Sequence, residues 1–132
     1  MQKISTFFMF EGNAEEAMNF YTSLFEETAI KAIERYGKDG PGKEGTVKMA
    51  TFVLEGQEFM CIDSFVKHQF GFTPAMSLYV CCKTQGEING LFAQLANGGQ
   101  VMMPLDKYPF SERFGWVSDK FGVSWQLNLK ED

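Results

Sequence analysis

One pattern occurs twice along this chain, with its two copies about 70 residues apart measured from Asn13 to Thr84. In the first copy Asn13-Ala14-Glu15-Glu16 opens an amphipathic helix, and a hairpin follows across Phe52 to Asp63. In the second copy Thr84-Gln85-Gly86-Glu87 opens the helix, and a hairpin crosses Gly115 to Leu127. A β-branched and aromatic run precedes each helix, Ile4 to Phe10 and Met76 to Cys82, so each copy reads as strand, helix and three strands. Every such copy has one apolar helix stripe and one apolar sheet face that must be buried. The expected fold class is α+β. Two tandem βαβββ modules, approximately 1–66 and 75–130 of a single domain 1–132, are expected to form a curved mixed sheet, a half-barrel cup with helices outside.

Local signals support this order. Asn13 is a good N-cap with Glu16 three residues on, a capping box, and Thr84 with Glu87 repeats it. Ala14, Ala17, Met18, Tyr21, Leu24 and Phe25 recur at helical spacing, as do Ile88, Leu91, Phe92, Leu95 and Ala96. Asn97-Gly98-Gly99 suits a left-handed helix end. Strands are expected at Thr28 to Tyr36, Thr46 to Leu54, Gln57 to Ser64 and Gln100 to Leu105, with Glu55-Gly56 as a tight turn. Pro104 to Pro109 and the aromatic-rich Phe65 to Pro74 read as loops. Gly37 to Gly42 is a glycine-rich loop without the Gly-Lys-Ser/Thr ending of a phosphate loop.

Composition excludes several functions. Of 132 residues, 45% are apolar and 14 are Phe, which suits a packed core. The net charge of −5 and the scattered Lys and Arg give no basic face, so nucleic acid is not an expected partner. No apolar run approaches the ~18 residues that span a bilayer, so no membrane partner is expected. Met1 to Phe10 lacks the charge pattern and cleavage site of a secretion signal. Cys61, Cys81 and Cys82 show no metal-type spacing, and they read as free thiols in a reducing cytoplasm.

The stretch Gly12-Asn13-Ala14-Glu15-Glu16-Ala17 with Phe20-Tyr21 and Leu24-Phe25, and the run Trp116 to Leu127, resemble the PhnB-like branch of the vicinal-oxygen-chelate superfamily. That superfamily includes glyoxalase I, bleomycin-resistance proteins and extradiol dioxygenases. The branch carries the label 3-demethylubiquinone-9 3-methyltransferase. The resemblance spans essentially the whole chain. In metal-dependent members four ligands, His and Glu, sit on the first and last strand of each half. The matching positions here are Thr6, Asp63, Ala75 and Gln126. Only Asp63 is a strong ligand and Ala75 has no donor, so the resemblance implies a cup with no metal and no cofactor.

If Thr6 and Gln126 mark the inward register, alternation turns Phe8, Phe10, Ser124 and Asn128 inward; counted from Asp63 the inward set is Cys61 and Phe59, and from Ala75 it is Ser77, Tyr79 and Cys81. Trp116 and Ser118 share the cup wall, unless a one-residue shift of the hairpin register turns them outward. Thr6, Phe8, Cys61, Asp63, Ser77, Tyr79, Trp116, Ser124 and Gln126 are thus the candidate ligand-binding residues. The plainer alternative is that the rings fill a collapsed core. Asp63 and His68, five residues apart, are candidate catalytic residues, as an acid/base couple or half a metal site. A structural Asp63 bonded to loop amides and an inert loop histidine are the plainer readings.

The expected function is metal-free binding of an apolar or aromatic small molecule by a cytoplasmic homodimer. Two alternatives are a metal-dependent lyase or dioxygenase of the same superfamily, and the methyltransferase of the branch label. The latter lacks the glycine-rich turn of a Rossmann-type S-adenosylmethionine site, since Glu11-Gly12-Asn13 holds a single glycine.

Overall fold

The computed structural model describes residues 2–130; Met1 and residues 131 and 132, the ends of the span read as one domain, lie outside it. The chain divides between Gln69 and Phe70 into two compact units. The first holds β1 (Thr6–Phe10), α1 (Ala14–Leu24), β2 (Thr28–Arg35), β3 (Val47–Leu54) and β4 (Gln57–Asp63). The second holds β5 (Ser77–Cys82), α2 (Gln85–Ala96), β6 (Gln100–Tyr108), β7 (Ser111–Ser118) and β8 (Ser124–Leu129). Each unit has its own four-stranded sheet, ordered β1-β4-β3-β2 and β5-β8-β7-β6. In both, the first and last strands of the unit pair in parallel and the other neighbours pair antiparallel. The repeated βαβββ pattern is therefore a repeat of mixed α+β topology.

In the first unit α1 buries Ala14, Ala17, Met18 and Tyr21. Its two alanines leave room that the sheet fills with large rings. Phe8, Phe52 and Phe59 stack at 5.4–6.5 Å between centroids, and Tyr21 lies 6.5 Å from Phe8 and 6.4 Å from Phe52. Burying each such ring contributes on the order of 2–3 kcal/mol. The turn after β3 places both Glu55 (φ 49°) and Gly56 (φ 81°) in the left-handed region, the geometry of a two-residue hairpin.

In the second unit α2 buries Ile88, Leu91 and Leu95. The Thr84 Oγ1 accepts the Glu87 N–H at 3.1 Å, while the Glu87 carboxylate accepts the Lys83 N–H at 2.8 Å. The capping box read at Thr84 thus forms, one residue wider on its return arm. The box read at Asn13 does not form, because the Asn13 side chain makes no cap hydrogen bond. A carboxylate from β4 does that work instead, as described below.

One loop assignment is corrected. Pro104 to Tyr108 continues β6. A proline is tolerated there because β6 is an edge strand, so its missing N–H removes no ladder bond, and the pairing with β7 shifts register between Met103 and Asp106.

Candidate functional site

The sheet of the second unit has one face under α2 and one face away from it. Val117, Trp125 and Leu127 are buried, and a Cβ on Gly115 would run into the Phe92 ring of α2. These residues belong to the helix side. The alternate set points the other way: Ser77 pairs with Ser124, Tyr79 with Gln126, and Trp116 with Gln126. Three strands therefore bring Ser77, Tyr79, Trp116, Ser124 and Gln126 onto one open face.

Four of these side chains form a continuous chain of hydrogen bonds. The Trp116 indole N–H donates to Ser124 Oγ at 2.8 Å. Ser124 Oγ and Ser77 Oγ are 2.7 Å apart. The Gln126 amide nitrogen donates to Ser77 Oγ at 3.3 Å. Burial fixes the direction of the middle bond. Ser124 is only 1% exposed, so a hydroxyl proton not given to Ser77 would be stranded, at a cost of about 1–3 kcal/mol. Ser124 therefore donates to Ser77, and Ser77 accepts from two sides. Its own proton, and the carbonyl oxygen of Gln126, are not used within this group. Tyr79 stands beside them, 56% exposed. The arrangement offers hydroxyl and amide donors, the Gln126 carbonyl as acceptor, and aromatic surface.

Aromatic surface continues toward the β6–β7 turn. Phe110 stacks on Tyr108 at 5.6 Å and meets Phe114 edge-on at 5.0 Å, while Ser111 bonds Asn128. Tyr108 lies in the Pro104 to Pro109 segment expected to be a loop, and Phe110 just beyond it, so alternation gives no signal for them.

In the first unit the expected inward register is displaced by one residue. Phe8 and Cys61 are buried on the side that carries α1, and Thr6 shares their alternation. The opposite face presents Phe7, Met9, Met60 and Ile62, with Phe7 exposed and the others half-buried. A slip of one residue turns a whole strand over, and anchoring β1 on Thr6 and β4 on Asp63 causes the slip.

Asp63 is 2% exposed, and both its oxygens are engaged. Oδ1 accepts the N–H groups of Gly12 (2.8 Å) and Ala14 (3.0 Å), and Oδ2 accepts that of Val47 (2.9 Å). It closes the start of α1 and ties it to β3. His68 bonds the Ser64 hydroxyl at 2.8 Å. Asp119, which the sequence did not single out, is the buried carboxylate of the second unit. Its oxygens accept the N–H groups of Phe121 (2.8 Å) and Val123 (3.0 Å) and the Trp125 indole (2.9 Å). An acid followed by Lys-Phe-Gly in a hairpin turn was the available signal. Burial pushes the Cys61 and Cys82 thiols up to about 12, aided by Asp63 and by Glu87 respectively, so both stay protonated at neutral pH. Cys81 is exposed.

Two units of one helix on a four-stranded mixed sheet define the glyoxalase/bleomycin-resistance class of fold. A glyoxylase/bleomycin resistance protein/dioxygenase domain from Frankia sp. EAN1pec shares it with a TM-score of 0.67 at 14% identity, covering 100% of this chain and 94% of that one. Within that class, the chain belongs to the 3-demethylubiquinone-9 3-methyltransferase family, whose model matches residues 2–128. A PhnB protein from Bacillus cereus is 66% identical with a TM-score of 0.96, covering 98% of this chain and all of that one. Protein PA1353 from Pseudomonas aeruginosa is 27% identical with a TM-score of 0.84, covering both chains fully. Among curated proteins no match was found.

Neither group implied by this kinship fits the residues present. A methyl-donor nucleotide of the usual kind needs free backbone N–H groups at a glycine-rich strand-to-helix turn. Here the Gly12 and Ala14 N–H groups are bound to Asp63. For a metal, Thr6 lies on the helix side, the Asp63 oxygens already accept three amides, and Ala75 has no donor atom. Among the described residues no group of three or more His, Cys, Asp or Glu is placed to share an ion. No helix among them is long and apolar enough to cross a membrane.

Proposed function

We propose that the protein binds a small apolar or aromatic molecule on the open face of the second unit, as a cytoplasmic homodimer without chemistry of its own. The observation that carries this reading is the directed chain Trp116–Ser124–Ser77–Gln126, which leaves hydroxyl and amide donors and the Gln126 carbonyl acceptor beside aromatic surface. A few fixed polar groups set in apolar surroundings are the ordinary make-up of a small-molecule site. The hydrogen-bonded group contains no Asp, Glu or His to act as a base at neutral pH. Unpaired edges on each sheet, β1 and β2 in one and β5 and β6 in the other, favour association with a second copy. Three free cysteines suit a reducing compartment.

2-Naphthol, an aromatic ring with one hydroxyl, is a suitable probe. Isothermal titration is expected to give saturable one-site binding. Gln126→Leu keeps the side-chain bulk but removes the amide, and should weaken binding by about tenfold, roughly the worth of one hydrogen bond. Undiminished binding to that variant, or heat that never saturates, would remove the basis of the proposal.

A further inference from the structure

We infer that this face selects neutral ligands and rejects anionic ones, which narrows the ligand to an uncharged aromatic carrying a hydroxyl or carbonyl group. The inference rests on the binding reading above and adds the sign of charge.

Every register-paired position of β5, β6, β7 and β8 is free of Lys and Arg. The one charged residue among those positions, Asp106 opposite Phe114, is an acid. Of the five cations of the second unit, Lys83 and Lys130 lie just past the ends of β5 and β8, and the other three are engaged. Arg113 donates to Asn89 of α2, Lys107 pairs with Glu112 at the β6–β7 turn, and the Lys120 ammonium sits over the Phe121 ring. An anion brought onto the face would lose water and meet only neutral donors, the Ser77 and Tyr79 hydroxyls and the Gln126 amide, beside aromatic ring faces and an acid. Removing a charge from water without a counter-charge is strongly unfavourable, and the negative faces of aromatic rings do not compensate. A neutral hydroxyl or carbonyl loses little water and matches the Ser77 proton. A ligand hydroxyl also meets the Gln126 carbonyl.

The test compares 2-naphthol with 2-naphthalenesulfonate, which has the same rings and a permanent negative charge, by titration calorimetry at pH 7 and low salt. The sulfonate is expected to bind at least about tenfold more weakly. Cys81→Lys adds a cation at an exposed position of β5 paired with Asn128. It should raise sulfonate affinity severalfold and leave 2-naphthol within about twofold. Equal or tighter binding of the sulfonate to the unaltered protein overturns the charge selection while leaving the site in place. Sulfonate affinity unmoved by Cys81→Lys shows that something other than charge excludes it and also overturns the inference. Binding of neither probe overturns the site itself, and this inference with it.

Discussion

Asp63→Ala is expected to lower folding stability by about 3–4 kcal/mol, with the loss seen as a lower urea midpoint at unchanged slope. The substitution strands three N–H groups, of Gly12, Ala14 and Val47, in a site where the carboxylate is 2% exposed. Each buried donor left without a partner costs about 1–3 kcal/mol, and partial entry of water into the vacated space offsets some of the sum. Asp63→Asn is the sharper control. One amide oxygen can still serve Gly12 and Ala14, but the NH2 group then faces the Val47 N–H, donor against donor. A loss of about 2 kcal/mol is expected. In both variants 2-naphthol binding to the folded fraction should persist. An Asp63→Asn protein of undiminished stability that no longer binds would show the carboxylate to be ligand-facing.

Asp119→Ala should cost about 3 kcal/mol for a related reason. Its carboxylate holds the β7–β8 turn by the Phe121 and Val123 N–H groups and caps the Trp125 indole, which is 1% exposed. Here the effect reaches the binding face. Ser118 and Ser124 flank that turn as a register pair, and Ser124 is the link between Trp116 and Ser77. The variant should therefore show red-shifted tryptophan emission and weaker 2-naphthol binding together. Asp63→Ala is expected to lose stability alone. A stable Asp119→Ala protein with unaltered emission would contradict this assignment.

How far the sequence could be read depends on which feature carried the signal. The doubled strand–helix–strand pattern was legible because helix stripes such as Ile88, Leu91 and Leu95 and turns such as Glu55-Gly56 are local features. Edge-strand proline was not, because Pro104 looks like a loop residue until a neighbouring strand is known to leave its N–H side unpaired. On the second unit, alternation from Gln126 for Ser124 and from Ala75 for Ser77, with Trp116 on the cup wall in one of two hairpin registers, puts the three on one face, where they are hydrogen-bonded. On the first unit the same reasoning chose the helix side for Thr6, Phe8, Cys61 and Asp63. Strands with large apolar side chains on both faces, such as Phe7-Phe8-Met9-Phe10, carry no alternation that fixes their register. Asp63 looked chemical because buried acids are costly. Its partners are backbone amides from Gly12, Ala14 and Val47, which no side-chain pattern announces.

The central claim is that the open face of the second unit, at Trp116, is where a ligand rests. Its most direct test is the pair of indole N–H resonances in a two-dimensional nitrogen–proton spectrum, assigned with Trp116→Phe, during titration with 2-naphthol. The Trp116 signal, whose N–H belongs to the hydroxyl chain, should move progressively and saturate. The Trp125 signal, locked on Asp119 beneath the sheet, should stay in place. A Trp116 signal that does not move at saturation, or a Trp125 signal that moves as much, would contradict the account.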